Sequence, residues 1–408
     1  MNIAYLCQYF SPPSEPGGSR PYEFARRLVQ RGHTVHMVTS IRQPARNQRG
    51  WQESSAAGIH VHAIPVPYGN AMPYRQRIAA FLRFAYHAAR RAVQLQPELV
   101  FATSTPLTIA LPGAYAAWRC RVPMVFEVRD LWPEVPIALG AIGGALPVWA
   151  AHRLERFAYR NAARVVALSP TMREGVARTG YPADRIHVIP NSSDLDRFTV
   201  DESMGLQWRR QHSWLGDRPL VLYAGTFGMV NGVGYLVEVA QAMRALSPHV
   251  RFLLLGDGRE AEEVKGLAQR LGVLDANLFI LPRVAKTEMP AILSAATVAT
   301  STVIDVPALW ANSANKVFDA FAAGRPVAIN HEGWQADLLR DSGAGLVLPA
   351  DDPQAAAQLL AAFLADQARL SQAGQAARRL AETRFSRDLH FEEFERVLLL
   401  AGEEGRRP

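Results

Sequence analysis

Residues 312–327 read Asn-Ser-Ala-Asn-Lys-Val-Phe-Asp-Ala-Phe-Ala-Ala-Gly-Arg-Pro-Val, which is the pattern of a short helix followed by an apolar strand. Asn312 or Ser313 can cap the first turn of this helix, and Gly324 ends it. The valine and the two phenylalanines within it suit an inward-facing stripe. The stretch therefore predicts a helix over 313–323 that leads through a tight turn into a buried strand of an α/β protein.

The same helix carries a cation and a carboxylate three residues apart. Lys316 lies in the first turn, where unpaired backbone N–H groups and the positive end of the helix dipole already attract an anion. Asp319 follows about one turn later, where its oxygens can accept hydrogen bonds from sugar hydroxyls. A phosphate at the helix start and a ribose one turn further in would make a nucleoside-diphosphate site. The alternative is a surface helix with an ordinary Lys–Asp pair.

The composition is that of an ordinary globular protein with reduced thiols. The chain has 408 residues, of which 49% are hydrophobic and 20% charged, so two domains are expected. Cys7 and Cys120 have no metal-ligand spacing, which favours a cytoplasmic location. The N-terminus predicts a first strand rather than a signal peptide. The longest uncharged run, 135–151, contains prolines and glycines, so it predicts a loop leading into a buried helix and not a transmembrane span.

The net charge of +7 is unevenly distributed along the chain. Residues 1–196 contain 22 arginines, no lysine and 12 acidic residues, whereas residues 197–408 have a slight excess of acidic residues. The basic half is expected either to face something anionic or simply to keep the chain in solution. We find no zinc-ligand spacing, nucleic-acid motif or aromatic–basic platform, so nucleic acid is not expected as a partner.

Strand and helix patterns alternate almost throughout. The predicted strands are 2–10, 34–39, 59–66, 99–103, 124–128, 164–168 and 187–189, then 220–224, 252–255, 278–281, 298–301, 327–330 and 346–348. Such alternation predicts parallel sheets covered by helices on both faces. Residues 190–198 interrupt the alternation, so we predict a linker there. We expect an α/β chain of two doubly wound, Rossmann-like domains facing an interdomain cleft, with ligand near the carboxyl ends of the strands. A dinucleotide oxidoreductase is not expected, because residues 11–20 lack G-x-G-x-x-G.

Several short motifs occur in an order that is specific to one family. They are Tyr9-Phe-Ser-Pro-Pro with Gly17-Gly18, Phe126-Glu-Val-Arg-Asp-Leu-Trp-Pro-Glu134, Val188-Ile-Pro-Asn191, Leu222-Tyr-Ala-Gly-Thr226, Leu255-Gly-Asp-Gly258, and Asn315-Lys316 with Asp319 and Ala323-Gly324. Across nearly its full length the chain resembles the retaining glycosyltransferases of family 4, which have the GT-B fold. It looks closest to the subgroup that acts in bacterial surface-polysaccharide assembly.

The resemblance implies a donor site built from several loops. Gly17 and Gly18 would close over the donor diphosphate and the acceptor, although a loop that merely needs two glycines to turn is the alternative. The loop that begins at Gly225 corresponds to the family's phosphate loop, which usually contains an arginine and a lysine. Here those two positions are Thr226 and Asn231.

Other residues would complete the donor site. Lys316, Arg283 or Lys286 can supply the missing cationic charge, together with the helix dipole. Arg283 follows a predicted strand, as the family's base-contacting segment does, and a plain loop arginine is the alternative. Ser313 and Asn315, beside Lys316 at the helix start, belong to the same expected site.

The family's pair of acidic residues, eight positions apart, is altered in this chain. Asp319 takes the second place, where it would accept hydrogen bonds from the ribose. Ala311 takes the first place, where the family's carboxylate would contact the transferred sugar. The change therefore bears on the identity of the donor sugar.

Three charged residues mark the end of one predicted strand. Glu127, Arg129 and Asp130 stand within four residues at the carboxyl end of 124–128, where a parallel sheet presents its chemistry. All three are candidate catalytic residues. We predict that Arg129, where the family often has histidine, clamps the diphosphate or the acceptor, and that Asp130 orients a hydroxyl. A structural ion network is the alternative.

Residues 74–91 predict a basic, aromatic helix, with apolar residues on one side and several arginines on the other. One interpretation is a domain-packing helix with solvated arginines. The other is a peripheral contact with the inner membrane, or with the phosphates of a lipid-linked acceptor. Trp132 and Trp149, near the uncharged run, could join such a surface or lie in the core.

The resemblance implies a retaining transferase of hexosyl or N-acetylhexosaminyl type. The donor would be a nucleoside-diphosphate sugar, with UDP favoured, and the acceptor a hydroxyl of a glycan or of a polyprenyl-diphosphate-linked glycan. Residues 1–196 are expected to bind the acceptor and 197–384 the donor, and 385–408 to form a helix that packs back toward the N-terminal domain.

No metal or other cofactor is expected, because backbone N–H groups and cations can stabilise the leaving phosphate. The resemblance implies front-face attack, in which the leaving phosphate takes the acceptor's proton. A nucleotide-sugar epimerase on the same architecture and a catalytically silent nucleotide-sugar-binding subunit are the alternatives.

Overall fold

The structure, a computed structural model, describes residues 1–11, 20–69, 72–199 and 201–405. The chain divides into two compact units. The first unit contains Met1–Pro190, Ala311–Ser313 and His390–Pro408, and the second contains Asn191–Trp310 and Ala314–Leu389.

The first unit is built on an eight-stranded sheet. Its strands are β1 Asn2–Leu6, β2 Thr34–Ile41, β3 Gln52–Ala56, β4 Ile59–Pro65, β5 Leu99–Thr103, β6 Met124–Val128, β7 Arg164–Ala167 and β8 Ile186–Val188. Their order is β3-β4-β2-β1-β5-β6-β7-β8, and all neighbours are parallel except β3 and β4. The sequence did not predict β3, because this edge strand, Gln-Glu-Ser-Ser-Ala, is polar and largely exposed.

The second unit is built on a six-stranded parallel sheet. Its strands are β9 Leu220–Thr226, β10 Arg251–Asp257, β11 Leu278–Leu281, β12 Val298–Ser301, β13 Val327–Ile329 and β14 Gly345–Val347. The order β11-β10-β9-β12-β13-β14 reverses direction at β9. Loops that leave the carboxyl ends of β9 and β12 therefore diverge and leave a crevice, the usual place for a ligand in such a sheet.

Sixteen helices are present among the described residues. They are α1 Arg20–Gln30, α2 Tyr74–Gln94, α3 Ala110–Cys120, α4 Glu134–Ala138, α5 Ala145–Arg160, α6 Pro170–Arg178, α7 Leu195–Phe198, α8 Glu202–Arg210, α9 Gly234–Leu246, α10 Ala261–Arg270, α11 Met289–Ala295, α12 Asn315–Ala322, α13 Trp334–Ser342, α14 Pro353–Ala365, α15 Gln367–Thr383 and α16 Arg387–Glu404. None of these helices combines the length and the apolar character that crossing a bilayer requires.

Strand alternation builds two cores in the first unit, one on each face of its sheet. On β1, Ala4 and Leu6 pack under α2, α3 and α5, whereas Ile3 and Tyr5 pack under α1 and α16. Helix α16 contributes two phenylalanines to the second of these cores, in contact with the rings of α1 and β5. The C-terminal helix is thus an integral layer of the first unit.

The second unit has the same two-faced arrangement. Leu222 of β9 packs with α11, α12, α13 and α15 on one face, and Tyr223 packs with α9, α10 and α14 on the other. Phe318 and Phe321 form the inward stripe of α12 that the sequence predicts, and both are fully buried. This packing holds the first turn of α12 at the carboxyl end of the sheet.

Two local predictions were wrong. Helix α12 begins at Asn315 with Ala314 at the N-cap position and no side-chain cap, because alanine has no polar atom to offer. The helix after the uncharged run, α5, is not buried in its first turns, where Leu146 and Trp149 are exposed. The predicted linker 190–198 includes the short helix α7, in which Phe198 is buried.

Candidate functional site

The end of β9 meets the first turn of α12 at Lys316. The Lys316 Nζ atom lies 3.9 Å from the centroid of the Tyr223 ring, and the Tyr223 hydroxyl donates a 2.8 Å hydrogen bond to the carbonyl of Thr226. A Cβ atom on Gly225 would lie 2.6 Å from this Nζ atom, so any larger residue there would require the amine to move. The structure thus brings Gly225, Thr226 and Lys316 together at the point where strand order reverses.

Burial changes the chemistry of this amine. The surroundings of Lys316 disfavour its charged form and lower its pKa from 10.5 to about 7. Because a phosphate would supply the missing negative charge, the site is arranged to attract an anion and to hold a proton when the anion binds.

Asp319, one turn further along α12, is already engaged on both of its oxygens. Ser193 donates a 2.7 Å hydrogen bond to Oδ1, and Lys286 Nζ lies 3.6 Å from Oδ2. A carboxylate with two partners keeps free lone pairs that can accept from a sugar hydroxyl. The structure therefore shows the Asp319 carboxylate held by two partners, and its binding of ribose stays a prediction.

The loop after β9 is short and firmly anchored. Thr226 is exposed, and the Asn231 carbonyl accepts a 2.7 Å hydrogen bond from Thr302, which follows β12. Gly232 ends the loop with φ of +53°, a left-handed conformation that favours glycine. Two neutral side chains, Thr226 and Asn231, occupy the positions where the resembled family has cations. Lys316, whose amine lies beside Gly225, places a cationic group at the start of this loop.

The remaining predicted donor residues fall in different places. Arg283 is exposed just beyond β11, at the same end of the sheet as Thr226. Asn315 is partly buried at the start of α12, and its Oδ1 atom has no hydrogen-bond partner in the described chain. Ser313 is buried and belongs to the first unit, together with Ala311, which packs in that unit's core. Gly17 and Gly18 lie outside the described residues.

A polar group that the sequence analysis missed follows β13. His331 is 3% exposed and Gln335 is 1% exposed, and His331 Nε2 and both amide atoms of Gln335 have no partner among the described residues. The Nε1 atom of Trp310 is also unpartnered, and Trp310 packs against Gly333, where an added Cβ would be 3.0 Å away. Buried polar atoms without partners are uncommon in folded proteins, so they mark a candidate ligand-facing group.

The tautomer of His331 follows from its surroundings. Its Nδ1 atom lies 2.8 Å from the carbonyl oxygen of Glu332, which can only accept, so Nδ1 carries the proton. Burial lowers the pKa of His331, which keeps the ring neutral and leaves Nε2 as an acceptor. The signal for these residues was present in the sequence, because Asn330-His-Glu-Gly-Trp-Gln335 places polar groups directly after a buried strand.

The first unit gathers charge at the ends of β5 and β6. Glu127 is fully buried, and it accepts hydrogen bonds from Arg20 Nε at 2.9 Å and from the Thr103 hydroxyl at 2.6 Å. Arg20, also fully buried, donates further to the carbonyls of Ile189 and Pro190. This geometry favours the structural ion network that the sequence left open as an alternative for Glu127.

Arg129 and Asp130 extend beyond this network. Arg129 is partly buried, and its backbone N–H donates to the Ser104 hydroxyl at 3.0 Å. Asp130 is exposed and accepts a 3.1 Å hydrogen bond from Thr105. Both residues thus follow Glu127 at the carboxyl end of the sheet, and the exposed Asp130 side chain is accessible to a ligand. The described residues contain no group of three or more histidine, cysteine or acidic side chains that could hold a metal.

Comparisons with known proteins agree with this architecture. Residues 17–192 match the model of the glycosyl transferase 4-like domain, and residues 206–380 match that of the glycosyl transferases group 1. The chain is 27% identical over 401 residues, 95% of its own length and 93% of the relative's, to a D-inositol 3-phosphate glycosyltransferase of Xylanimonas cellulosilytica. It is 22% identical over 307 residues, 72% of its length and 74% of the relative's, to a putative colanic acid biosynthesis glycosyl transferase, WcaI, of Escherichia coli.

A solved structure shows the same fold. The structure of HepE from Anabaena in complex with UDP superposes with a TM-score of 0.73, at 19% sequence identity, over 98% of this chain and 100% of HepE. With two α/β units on parallel sheets and two adjacent family models that cover most of its length, the chain belongs to the nucleotide-sugar-dependent glycosyltransferases of family 4 and has their GT-B fold.

Proposed function

We propose that this protein transfers a sugar, with retention, from a nucleoside-diphosphate sugar to a hydroxyl of a glycan or lipid-linked glycan in surface-polysaccharide biosynthesis. UDP is the favoured nucleoside diphosphate. The observation that carries the proposal is the placement of Lys316, whose amine rests on Gly225 and Tyr223 at the switch point of the second unit. A diphosphate bound there would meet one cation and the N–H groups of the first turn of α12, which has no side-chain cap.

The roles of the other donor residues follow from their contacts. Asp319 would accept hydrogen bonds from the ribose while Ser193 and Lys286 hold its carboxylate. Arg283, exposed at the end of β11, would contact the base. His331 and Gln335 offer unpartnered acceptors and donors that suit sugar hydroxyls. A site that pairs hydroxyls through buried polar atoms discriminates strongly between sugars.

The acceptor side of the reaction would use the N-terminal part of the chain, residues 1–196, while residues 197–384 would bind the donor. We assign Arg129 to an acceptor or diphosphate contact and Asp130 to orienting the attacking hydroxyl, with Glu127 positioning the strand end that carries them. In front-face attack the acceptor oxygen bonds to the anomeric carbon as the bond to the diphosphate breaks. The departing phosphate oxygen takes the hydroxyl proton, and Lys316 with the α12 N–H groups stabilises its charge. No metal has a part in this proposal.

The names of relatives bear on the acceptor without deciding it. WcaI of Escherichia coli is named for colanic acid biosynthesis, which supports a polysaccharide or polyprenyl-diphosphate-linked acceptor. The relative from Xylanimonas is named for D-inositol 3-phosphate, which makes a phosphorylated polyol the second acceptor to test. Both are anionic or carry phosphate, in keeping with the basic first half of the chain.

A second candidate function is a silent nucleotide-sugar-binding subunit. It is favoured by Thr226, Asn231 and Ala311, three positions where the residues that stabilise the leaving group or contact the sugar in the family are replaced. Such a protein would bind the donor and release no product.

The test is a donor screen on the purified chain. UDP-, GDP- and dTDP-sugars are incubated with and without a polyprenyl-diphosphate-sugar or inositol phosphate, and free nucleoside diphosphate and sugar products are followed. The chain has only three lysines, so Lys316→Met is matched by Lys265→Met on the exposed face of α10. Acceptor-dependent release that Lys316→Met abolishes and Lys265→Met preserves supports the transferase. Sugar conversion with donor alone would indicate an epimerase, binding without turnover the silent subunit, and no nucleotide-sugar binding at all would overturn the proposal.

A further inference from the structure

Three helices of the first unit form one layer over one face of its sheet. The inner sides of α2, α3 and α5 contribute Phe84, Ala114 and Ala158 to the same core, and α3 contacts both of the other helices. Because all three cover the same face of the sheet, their outer sides point away from the sheet in a common direction. We treat these three outer sides together as the outer side of one helix layer.

That outer side carries an unusual number of large apolar side chains. They are Ile78, Leu82 and Tyr86 on α2, Tyr115 and Trp118 on α3, and Leu146, Trp149 and Phe157 on α5. Trp118 and Leu146 are each 73% exposed, and Trp149 is 58% exposed. Single exposed apolar residues are ordinary, but a group of eight on adjacent helices marks a surface that contacts something apolar. Trp132, the other tryptophan singled out in the sequence, is partly buried against the core and is not part of it.

The same helices are strongly cationic. They contain nine arginines, namely Arg75, Arg77, Arg83, Arg90, Arg91, Arg119, Arg153, Arg156 and Arg160. Their only acidic residue is Glu155, which is buried. The guanidinium carbon of Arg90 lies 5.5 Å from the Tyr86 ring centroid, and that of Arg153 lies 5.8 Å from the Trp149 centroid. Arg77 lies over the Tyr68 ring and Arg91 pairs with Glu53, whereas the other seven arginines are exposed. We call the eight apolar residues and these seven arginines the arginine-rich apolar surface.

We propose that the arginine-rich apolar surface binds the surface of a lipid bilayer that contains anionic lipids. Tryptophan, tyrosine and leucine side chains at the surface of a protein fit the boundary between headgroups and acyl chains, and arginines reach the phosphates above it. Charge complementarity selects this occupant. A second copy of the chain would bring two sets of arginines together, and nucleic acid would leave Leu82 and Leu146 without an apolar partner.

The inference stands apart from the transfer reaction. The surface is defined by side chains of α2, α3 and α5, and none of them belongs to the candidate donor or acceptor site. Binding to a bilayer would place the first unit against a membrane, which is consistent with a lipid-linked acceptor but does not require one. Failure of the donor screen would therefore leave this proposal untouched, and failure of the vesicle experiment would leave the proposed function untouched.

Vesicle flotation of the full chain tests the proposal. Vesicles of phosphatidylcholine with about one third phosphatidylglycerol are compared with pure phosphatidylcholine vesicles, at low and at physiological salt. We expect binding to the anionic vesicles that is at least about tenfold tighter than to the neutral ones and that weakens with salt. The variant Trp118→Ser/Leu146→Ser/Trp149→Ser and the variant Arg83→Gln/Arg90→Gln/Arg153→Gln should each lower the partition coefficient at least about tenfold.

Matched controls come from the second unit. Leu246→Ser/Leu359→Ser removes exposed apolar side chains there, and Arg270→Gln/Arg379→Gln removes exposed arginines; both should bind vesicles like the unchanged chain. Circular dichroism and light scattering establish that each variant is folded and report its oligomeric state. Equal binding to neutral and anionic vesicles would overturn the proposal, as would full binding by both surface variants. An absence of vesicle binding would overturn it too, whether the surface variants then dissociate a dimer or lose affinity for RNA.

Discussion

Lys316 is the residue whose chemistry depends most on its surroundings. On the sequence it is a helical lysine near an aspartate, and in the fold its amine rests on the Tyr223 ring while Asp319 pairs with Lys286 instead. The alternative interpretation of an ordinary Lys–Asp surface pair is therefore not what the structure shows. Its pKa, lowered to about 7 by burial, makes its charge sensitive to a bound anion.

We predict that nucleoside-diphosphate binding takes up a proton at Lys316. An anion beside the amine raises its pKa, so the bound state holds more protons than the free state between about pH 7 and 10.5, and affinity falls as pH rises. The dissociation constant of UDP should rise by up to about tenfold per pH unit above pH 7, where the diphosphate is already ionised. Calorimetry in buffers of different ionisation enthalpy measures the proton uptake.

Another lysine of the chain, Lys265, provides the control. Lys316→Met should bind UDP weakly and with little pH dependence, whereas Lys265→Met should follow the unchanged protein. A dissociation constant that stays constant between pH 7 and pH 9 would contradict the role given to Lys316.

Arg20 is the second residue whose importance is invisible in the sequence. It is fully buried, its guanidinium pairs with Glu127, and it also donates to two carbonyls that follow β8. Its guanidinium carbon lies 4.4 Å from the Phe24 ring centroid. This side chain of α1 thus forms hydrogen bonds with the end of β6 and with the backbone that follows β8.

Arg20→Met should destabilise the first unit by about 3–5 kcal/mol, because it leaves the Glu127 carboxylate buried without a cation. The double variant Arg20→Met/Glu127→Gln should recover part of that loss, since the uncompensated charge is then absent. Arg31→Met, whose guanidinium is half exposed and 4.0 Å from its nearest carboxylate, should change the free energy of unfolding by no more than about 0.5 kcal/mol. Urea denaturation measures all three. If Arg20→Met were as stable as Arg31→Met, the Arg20–Glu127 pair would not contribute to stability and the prediction would be wrong.

At the scale of elements, the ends of β9 and β10 depend on paired glycines. Gly225 and Gly256 are register partners, and a Cβ on Gly256 would lie 1.9 Å from the Gly225 carbonyl oxygen. Backbone at that distance cannot be moved aside as a flexible side chain can. The two strands can therefore approach closely where the loop after β9 begins.

Gly256→Ala should cost about 1–3 kcal/mol of stability, because the strand ends must separate to admit a methyl group. Gly266→Ala is the matched substitution, since Gly266 lies inside α10 and its added Cβ would be 3.4 Å from the end of the flexible Arg270 side chain. That variant should be neutral or stabilising by up to about 1 kcal/mol. Thermal unfolding of the two variants, with UDP binding as a second readout, decides between them. Equal stability of both would show that β9 and β10 have more room than the structure indicates.

The segment after β13 contains buried polar atoms that we expect to serve binding rather than folding. Gln335 is buried with both amide atoms unpartnered in the described chain, which costs about 1–3 kcal/mol per group. We predict that Gln335→Leu leaves the free energy of unfolding unchanged or increases it, and weakens nucleotide-sugar affinity about tenfold or more. Denaturation and donor titration measure the two effects. A less stable variant with unchanged affinity would assign Gln335 to the fold.

At the scale of the whole molecule, acid stability should be limited by a histidine cluster in the first unit. His36 Nδ1 lies 3.0 Å from His62 Nε2, His60 stacks on His36, and Arg91 reaches His62 and also pairs with Glu53. Burial, followed by the charges of His62, His60 and Arg91, lowers the pKa of His36 from 6.5 to about 4. The cluster therefore requires His36 to be neutral in the folded state.

Between pH 6.5 and about 4, His36 is protonated in the unfolded chain and neutral in the folded chain. The free energy of unfolding therefore falls as the pH is lowered through this range. His36→Asn should reduce the slope of the unfolding midpoint against pH in this window, and His249→Asn, in the second unit, should not. Denaturant midpoints at half-unit steps of pH test the prediction. Identical slopes for His36→Asn and the unchanged protein would rule the cluster out as the acid-sensitive group.

Much of the fold could be predicted because its signals are local. Strands such as β5, β6, β11 and β12 were predicted to the residue, since continuous apolar runs between helical patterns are typical of a buried parallel sheet. Edge strand β3 was missed because one exposed, polar strand has neither an apolar run nor a buried face. The exposed start of α5 was misjudged because the absence of charge in a segment does not reveal whether anything covers it.

By itself the sequence determined the α/β class, the two doubly wound units, the order of the family's motifs and the position of Lys316 and Asp319 on one helix. These features depend on periodicity, turn residues and spacing, all of which act over a few neighbouring residues. Only the tertiary structure decided that Lys316 rests on Tyr223, that Arg20 neutralises Glu127, that His331 and Gln335 are buried without partners, and that eight exposed apolar side chains belong to one arginine-rich helix layer. The reason is that burial and desolvation are set by contacts between residues far apart in the chain, and these contacts decide which polar groups remain available to a ligand.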